Sequence, residues 1–181
     1  MVALTTPRCF PGVTSSSGKT KAAPGEPTLL SFDDVTALPG WIISNQGTPG
    51  GTTQPWVQGD QQIFTALSGA ANSYISSNYN NAPAGGTLSS WLVSPVFSTA
   101  ENLEVSFWAR GDIQPGFFDQ LTYGLVNAAG VFSSFVPQAT VTVAGAWTQY
   151  SFLLAGQGAG STSRFAIQYF GDADSANYVG V

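Results

Sequence analysis

The chain has 181 residues, of which 43% are hydrophobic and 8% are charged, and its formal net charge is −5. It contains no histidine and one cysteine, which excludes histidine-dependent catalytic triads, histidine-ligated metal sites and an intrachain disulfide. The excess of acidic over basic residues argues against binding to a nucleic-acid backbone. The sequence contains no run of about 18 apolar residues, the length that is needed to span a membrane. A chain of this length is expected to form one domain, with any remainder as a tail.

Residues 1–27 differ in composition from the rest of the chain. They hold both lysines, the single cysteine (Cys9) and four of the 11 prolines. The stretch 14–27 has no large apolar residue, so it could bury little surface to offset the entropy of ordering. The sequence therefore predicts a disordered, flexible leader over 1–27 and one domain over 28–181. The apolar residues near the start are too few for a secretory signal peptide, and Cys9 is interpreted as a thiol without a role.

Alternating apolar and polar residues dominate the chain after the leader, and turn-forming clusters rich in Gly, Pro, Asn and Asp separate the runs. No window shows a helical period, so no helix longer than two or three turns is expected. Short strands with frequent turns are typical of an antiparallel sandwich. Because residues 40–86 are rich in loops, the prediction is an all-β jelly roll with a loop-rich face. The predicted strands cover residues 28–32, 41–44, 73–77, 87–93, 103–108, 121–125, 131–136, 139–143, 148–154, 165–169 and 178–181.

An ordered series of segments gives the chain a family resemblance over roughly residues 30–181. The segments are SFDDVTALPGWIISNQG, WVQGD, SYISSNYNNAPAGGTLSSWLVSPVFS, LEVSFWARG, DQLTYGLV, WTQYSFLL and RFAIQYFGDADSANYVGV. Together they resemble the choice-of-anchor J domain family, which is related to cleaved adhesin and MAM-like jelly-roll domains. The resemblance implies a bacterial domain that is extracellular or at the cell surface. Since the family's last strand usually continues into an Asp beyond the position of Val181, it also implies truncation at the C-terminal strand.

Two pairs of aspartates are candidate metal ligands. Asp33 and Asp34 follow a predicted strand, and paired carboxylates at a strand end can bind a hard cation such as Ca²⁺. The resemblance points the same way, because related jelly rolls often bind calcium near this N-terminal strand. Asp172 and Asp174 are a weaker pair, whose loop lacks the Gly and Glu of an EF-hand. For Asp33 and Asp34 the alternative is a turn in which the carboxylate accepts a hydrogen bond from nearby backbone. For Asp172 and Asp174 it is an ordinary hairpin loop.

Four aromatic residues are candidate ligand contacts. Trp56 lies in a loop-rich stretch, and Trp108 is out of phase with the apolar residues of its strand, so either ring could be partly exposed. Phe117 and Phe118 form an apolar loop tip that could be an adhesive patch. Exposed aromatic rings can stack on sugars, whereas the alternative is that these rings belong to the core.

The function predicted from these features is a non-catalytic extracellular binding or adhesion module of a bacterial surface or secreted protein. Its expected partner is a glycan or a protein at the cell surface. One alternative is a carbohydrate-binding module of a secreted hydrolase. A second is a glycosidase-like enzyme, for which two carboxyls about 5–10 Å apart are needed. The nearest pair in sequence, Glu101 and Glu104, would point to opposite faces of a strand.

Overall fold

The computed structural model describes residues 2–5, 28–52 and 54–181. Helical structure in these residues is confined to three 3-10 turns of three residues each, Tyr79–Asn81, Phe132–Ser134 and Ala173–Ser175. None of the described helices is long and apolar enough to cross a membrane. The strands, in chain order, are β1 (Val2–Thr5), β2 (Thr28–Leu30), β3 (Ile42–Asn45), β4 (Val57–Gln58), β5 (Ile75–Asn78), β6 (Thr87–Val93), β7 (Phe97–Ser98), β8 (Leu103–Gly111), β9 (Gln120–Asn127), β10 (Val136–Thr142), β11 (Thr148–Leu154), β12 (Thr162–Asp172) and β13 (Tyr178–Gly180).

The strands form two antiparallel sheets, which confirms the predicted all-β jelly-roll sandwich. One sheet has the order β2-β1-β8-β13-β5-β4, with β11 also paired to β8. The other has the order β10-β9-β12-β6-β3, with β7 also paired to β12. Successive side chains of a strand point to opposite faces. The alternating apolar residues of β8 and β12 are therefore buried, and they meet in the space between the sheets.

Aromatic rings form the centre of this core. Phe107 of β8 lies 4.9 Å from Tyr123 of β9 and 5.5 Å from Phe165 of β12, measured between ring centroids. Tyr150 of β11 stacks on Phe107 at 5.4 Å. Each large apolar side chain buried in this way contributes roughly 1.5–3 kcal/mol to folding. The core thus joins the two sheets and gives the loops a rigid support.

The strand predicted over residues 131–136 is wrong, because that segment is the 3-10 turn Phe132–Ser134 followed by the start of β10. In this segment, side chains form hydrogen bonds with the nearby backbone, and these compete with the backbone hydrogen bonds between strands. The backbone N–H of Val131 donates to Asn127 Oδ1, and Ser134 Oγ donates to the Val131 carbonyl at 2.6 Å. Such local side-chain bonds favour turns over extended pairing.

The predicted leader is wrong for its first described residues, because Val2–Thr5 form a paired strand. β1 pairs with β8 on one side and with β2 on the other, and Val2 is fully buried in the core. Paired backbone and one buried apolar side chain are enough to hold four residues in the sheet. The remainder of the leader, residues 6–27, and with it Cys9, lies outside the described residues, as does residue 1.

β1 and β13 lie one after the other along the same edge of β8. β11 occupies the opposite edge from Leu103 to Ala109. Along the other edge of β8, β13 pairs with Gly111 and Arg110, and β1 pairs with the residues from Phe107 to Glu104. Both are antiparallel to β8, so the end of β13 points toward the start of β1.

Candidate functional site

Two neighbouring cavities between the loops share three lining residues, and the two together are called the loop groove. Tyr79, Asn80 and Asn177 line both cavities, which have volumes of about 750 and 440 Å³. Volumes in this range are typical of sites for small ligands. The larger cavity is completed by Gly50, Gly51, Ala82, Pro83, Ala84, Phe117, Ala173, Asp174 and Ala176. The smaller one is completed by Val57, Gln58, Asp60, Ile63, Ser76, Asn78, Asp112 and Tyr178.

Tyr79 stands at the junction of the two cavities and is 46% exposed. It follows β5 directly, in the first 3-10 turn, because Asn78 caps that turn by accepting a hydrogen bond from the Asn80 backbone N–H at 2.8 Å. The backbone N–H of Tyr79 donates to the Asn177 carbonyl at 3.0 Å. These two bonds fix the turn, so the ring is presented from a rigid backbone.

The facing wall is the 3-10 turn Ala173–Ser175, which is fixed in a similar way. Asp172 caps it by accepting from the Asp174 backbone N–H at 2.9 Å. The Asp174 carboxylate accepts from the backbone N–H of Gly85, with distances of 3.0 and 3.1 Å to its two oxygens. Gly85 has a φ of +73°, a conformation that glycine adopts without strain. The loop between the first turn and β6 is thereby tied to the second turn.

Asn81 is a buried hydrogen-bonding centre beneath Tyr79. The residue is 3% exposed, and its side-chain nitrogen, which carries two N–H donors, lies 2.8 to 2.9 Å from three acceptors, the Pro55 carbonyl, Ser77 Oγ and Ser90 Oγ. Its own carbonyl accepts from Asn45 Nδ2 at 2.7 Å. A single amide therefore joins β5, β6 and the loop before β4 under the groove.

Asp119 is a second buried centre, on the side of the groove formed by β13. Its carboxylate is 2% exposed and accepts from the Tyr169 hydroxyl at 2.6 Å and from the backbone N–H of Asn177 at 2.8 Å. Burial, and then the charge of Asp119, raise the pKa of Tyr169 well above its usual range, so this hydroxyl stays protonated and donates. Asn177 Nδ2 in turn donates to the carbonyl and to a carboxylate oxygen of Asp112 at 2.7 and 3.0 Å. Sequence reasoning did not select Asp119, because nothing local distinguishes it from a solvated loop acid.

The groove combines an exposed aromatic ring with amide and carboxylate groups. An aromatic face packs against the C–H face of a sugar ring, because both are apolar and flat. Amides and carboxylates can exchange hydrogen bonds with the hydroxyl groups around the rim of such a ring. The arrangement is therefore suited to binding polyhydroxylated ligands such as glycans.

The four aromatic residues predicted to contact ligand are placed differently by the structure. Phe117 lines the larger cavity, together with Tyr79. Phe118 is 66% exposed beside the groove, and its backbone N–H donates to the Ser175 carbonyl. Trp56 is 1% exposed and belongs to the core, so the expectation of a partly exposed ring is wrong for it. Trp108 is half-buried on β8 and does not line the groove.

The predicted metal ligands Asp33 and Asp34 are exposed and adjacent to β2. The Thr36 hydroxyl, followed by its backbone N–H, donates to Asp34 Oδ1 and lowers the pKa of that carboxyl. Asp34 therefore closes a local turn. Asp33 Oδ2 accepts from the Ser31 hydroxyl at 2.8 Å. Asp33 also lines a cavity of about 230 Å³ with Val181, which places this carboxylate beside the end of the last strand.

The oxygens around Asp33 fit a calcium ion only in part. Ca²⁺ takes six to eight oxygen ligands, and the described residues contain no cluster of three or more carboxylate, histidine or cysteine side chains suited to a metal. Three backbone carbonyls nearby, those of Phe32, Asn72 and Tyr74, accept hydrogen bonds from the side-chain amide of Gln58. A cation here would depend on Asp33, with backbone carbonyls and water as its other ligands.

Calcium binding at Asp33 stays a prediction with a direct test. We expect millimolar Ca²⁺ to raise the melting temperature, because a ligand that binds the native state alone stabilises it, by about 2.7 kcal/mol at a hundred times Kd. Thermal melts of the wild type in Ca²⁺ and in EDTA measure the effect. The difference should vanish in Asp33→Asn and persist in Asp172→Asn. Superimposable wild-type melts would show that Asp33 belongs to a turn without a metal.

Comparison of the chain with known proteins gives matches among solved structures. The K1 cleaved adhesin domain of Lys-gingipain from Porphyromonas gingivalis W83 aligns with a TM-score of 0.63 at 17% identity, over 83% of this chain and 91% of that domain. The K3 cleaved adhesin domain of the same protein aligns with a TM-score of 0.56 at 16% identity, over 84% of this chain and 94% of that one. The carbohydrate-binding module TmCBM61, solved with β-1,4-galactotriose, aligns with a TM-score of 0.51 at 12% identity, over 79% and 84% of the two chains.

These identities are low enough that the matches establish the fold and not the function. No family model matches the chain, and no curated protein matches it in sequence. The fold is thus related to that of cleaved adhesin domains, while membership of the choice-of-anchor J family stays a prediction. The sequence segments that resemble the choice-of-anchor J family include the core strands β8 and β12, which help to build the two sheets.

Proposed function

We propose that this protein is a non-catalytic extracellular module of a bacterial surface or secreted protein, and that it binds glycan chains in the loop groove. The likeness to two adhesin domains and to a module solved with a galactotriose supports a binding role. The resemblance to the choice-of-anchor J family supports the location outside the cell. Within the proposal, the groove is the ligand site, and the two sheets are its scaffold.

The observation that carries the proposal is the position of Tyr79. Its exposed ring lies where two cavities join, and Asn80 and Asn177 lie beside it in both. Phe117 supplies a second exposed aromatic ring in the larger cavity. A ligand chain that extends from one cavity into the other would pass over Tyr79, with amide groups close to its hydroxyls. Aromatic residues so placed are common anchors of binding energy.

Replacing Tyr79 with Ala should abolish or greatly reduce glycan binding while leaving the fold intact. Loss of a central aromatic anchor costs about 2 kcal/mol or more, which corresponds to at least about thirtyfold in Kd. Binding would be measured on a glycan array and then by calorimetry, with thermal melts to verify folding. The matched control is Leu153→Ala, which removes a side chain that is 73% exposed on β11 and outside the groove.

The outcomes separate the three candidate functions. Array binding that Tyr79→Ala removes and Leu153→Ala preserves supports the glycan site. If no glycan binds but the protein adheres to a cell-surface protein, the adhesion alternative replaces it. Release of reducing sugar that is lost in Asp60→Asn or Asp112→Asn would favour the glycosidase alternative, since both acids line the smaller cavity.

A further inference from the structure

The charged residues that line the loop groove, within the part of the chain that the structure describes, are all acidic. Asp60 and Asp112 line the smaller cavity, Asp174 lines the larger one, and neither cavity is lined by an arginine or a lysine among the residues that the structure describes. The whole chain has ten acidic and five basic residues. A ligand in the groove would therefore meet three carboxylates and no described cation.

The two arginines of the described part are held elsewhere. The guanidinium of Arg164 donates to the backbone carbonyls of Gly40, Ser94 and Ala128 at 2.7 to 2.8 Å. The guanidinium of Arg110 lies over the Phe64 ring, 4.5 Å from its centroid. Three hydrogen bonds therefore hold Arg164, the Arg110 guanidinium packs on an aromatic ring, and neither side chain lines the groove.

The three carboxylates are also held in place by the chain around them. Asp112 accepts from Asn177 Nδ2, Asp60 Oδ1 accepts from the Gln62 backbone N–H at 2.8 Å, and Asp174 accepts from the Gly85 backbone N–H. Each of these hydrogen bonds favours the conformation in which the carboxylate lines the groove. The repulsion is therefore a fixed property of the site, and like-charge repulsion is an effective way to reject a wrong ligand.

We propose that the loop groove is selective for uncharged glycans and discriminates against glycans that carry uronate or sulfate groups. This inference rests on the proposed function, since it assigns the ligand class of the same groove. Hydroxyl groups can donate to the three carboxylates, whereas a carboxylate or sulfate on the ligand would be repelled by them and would meet no cation among the described lining residues. The carboxylates therefore form hydrogen bonds with an uncharged glycan and repel an acidic one.

The test compares matched neutral and acidic glycans. The probes are β-1,4-glucan oligosaccharides with their C6-oxidised glucuronate forms, and neutral galactan with galacturonan and sulfated galactan. They are measured on an array and by calorimetry at about 10 mM salt, where the Debye length is about 30 Å. We expect neutral chains to bind and their acidic forms to bind at least about fivefold more weakly. That ratio corresponds to about 1 kcal/mol, the interaction of two unit charges 4 Å apart in water.

A charge-removal variant assigns the effect to the groove. Asp60→Asn/Asp112→Asn keeps an oxygen at each position to accept the existing hydrogen bonds, and it should raise the ratio of acidic to neutral affinity by about fivefold or more. The control Glu101→Gln/Glu104→Gln removes the same net charge from residues that do not line either cavity, and it should leave the ratio unchanged.

The results distinguish this inference from the function on which it rests. If acidic chains bind as tightly as neutral ones, or if both double variants change the ratio equally, charge selection by the groove is overturned while glycan binding stands. If no probe of either kind binds, the proposed function itself is contradicted, and the inference is overturned with it.

Discussion

Replacing Asp119 with Ala should lower the free energy of unfolding by about 3–5 kcal/mol. The substitution leaves the Tyr169 hydroxyl and the Asn177 backbone N–H without their acceptor, and each unsatisfied buried donor costs about 1–3 kcal/mol. It also opens space in a packed interior. For a chain of this length the melting temperature should fall by about 10 °C, at about 2–4 °C per kcal/mol. Urea unfolding and calorimetry measure both quantities.

Two controls identify the source of that loss. Tyr169→Phe removes one of the donors and keeps the ring, so it should cost about 1–2 kcal/mol. Glu101→Ala changes an exposed acid and should stay within about 0.5 kcal/mol of the wild type. If Asp119→Ala is as stable as Glu101→Ala, the carboxylate contributes little, and the position of Asn177 must depend on its other contacts.

Replacing Asn81 with Ala should lower the free energy of unfolding by about 2–4 kcal/mol. The substitution removes a buried amide nitrogen that lies 2.8 to 2.9 Å from the Pro55 carbonyl, Ser77 Oγ and Ser90 Oγ, and it leaves the Pro55 carbonyl with the Ser77 hydroxyl as its remaining donor. Buried polar groups that lose their partner account for much of this cost. Asn81→Asp should be worse than Asn81→Ala, because it places a charged acceptor against the Pro55 carbonyl. Chemical denaturation of the three proteins gives the order.

The neighbouring Asn80 provides a matched control in the same 3-10 turn. Asn80 is exposed and lines both cavities, so Asn80→Ala should weaken glycan binding and leave stability within about 0.5 kcal/mol of the wild type. Asn81→Ala should instead lose stability and keep glycan binding, when binding is measured well below its melting temperature. Equal stability losses at both positions would contradict the assignment of Asn81 as the buried centre.

The sandwich was predictable because its strands carry their own signal. The apolar residues of β8 and β12 repeat every second position, and that period is what a half-buried strand requires. β1 gave no such signal, since four residues beside a polar stretch show no period, and their burial depends on β8, about a hundred residues away. The error at Phe132–Ser134 has a similar origin, because the hydrogen bond that Asn127 Oδ1 accepts and the one that Ser134 Oγ donates outweigh the strand propensity of Val and Phe.

The sequence pointed to only two residues of the groove, Phe117 as a ligand contact and Asp174 as a metal ligand. Phe117 was identified because two adjacent phenylalanines in a polar loop are unusual. Tyr79, by contrast, lies in a run of Ser, Asn and Tyr that resembles an ordinary turn, and it meets Asn177 only after folding. Trp56 illustrates the converse, because its loop-rich surroundings suggested exposure while the ring is in the core. A site whose residues come from distant segments of the chain is difficult to predict from the sequence alone.

The end-to-end arrangement of β1 and β13 along β8 decides how any attached chain would leave the domain. Because the end of β13 points toward the start of β1, a segment joined before Val2 and one joined after Val181 would both turn out of the sheet at the same place. In a longer protein, both neighbouring segments would therefore be attached at one place on this sheet, the junction of β1 and β13 beside β8. Tension along that protein would then load the pairing of β1 and β13 with β8 and would reach the core directly, because Val2 and Val181 are both fully buried in it.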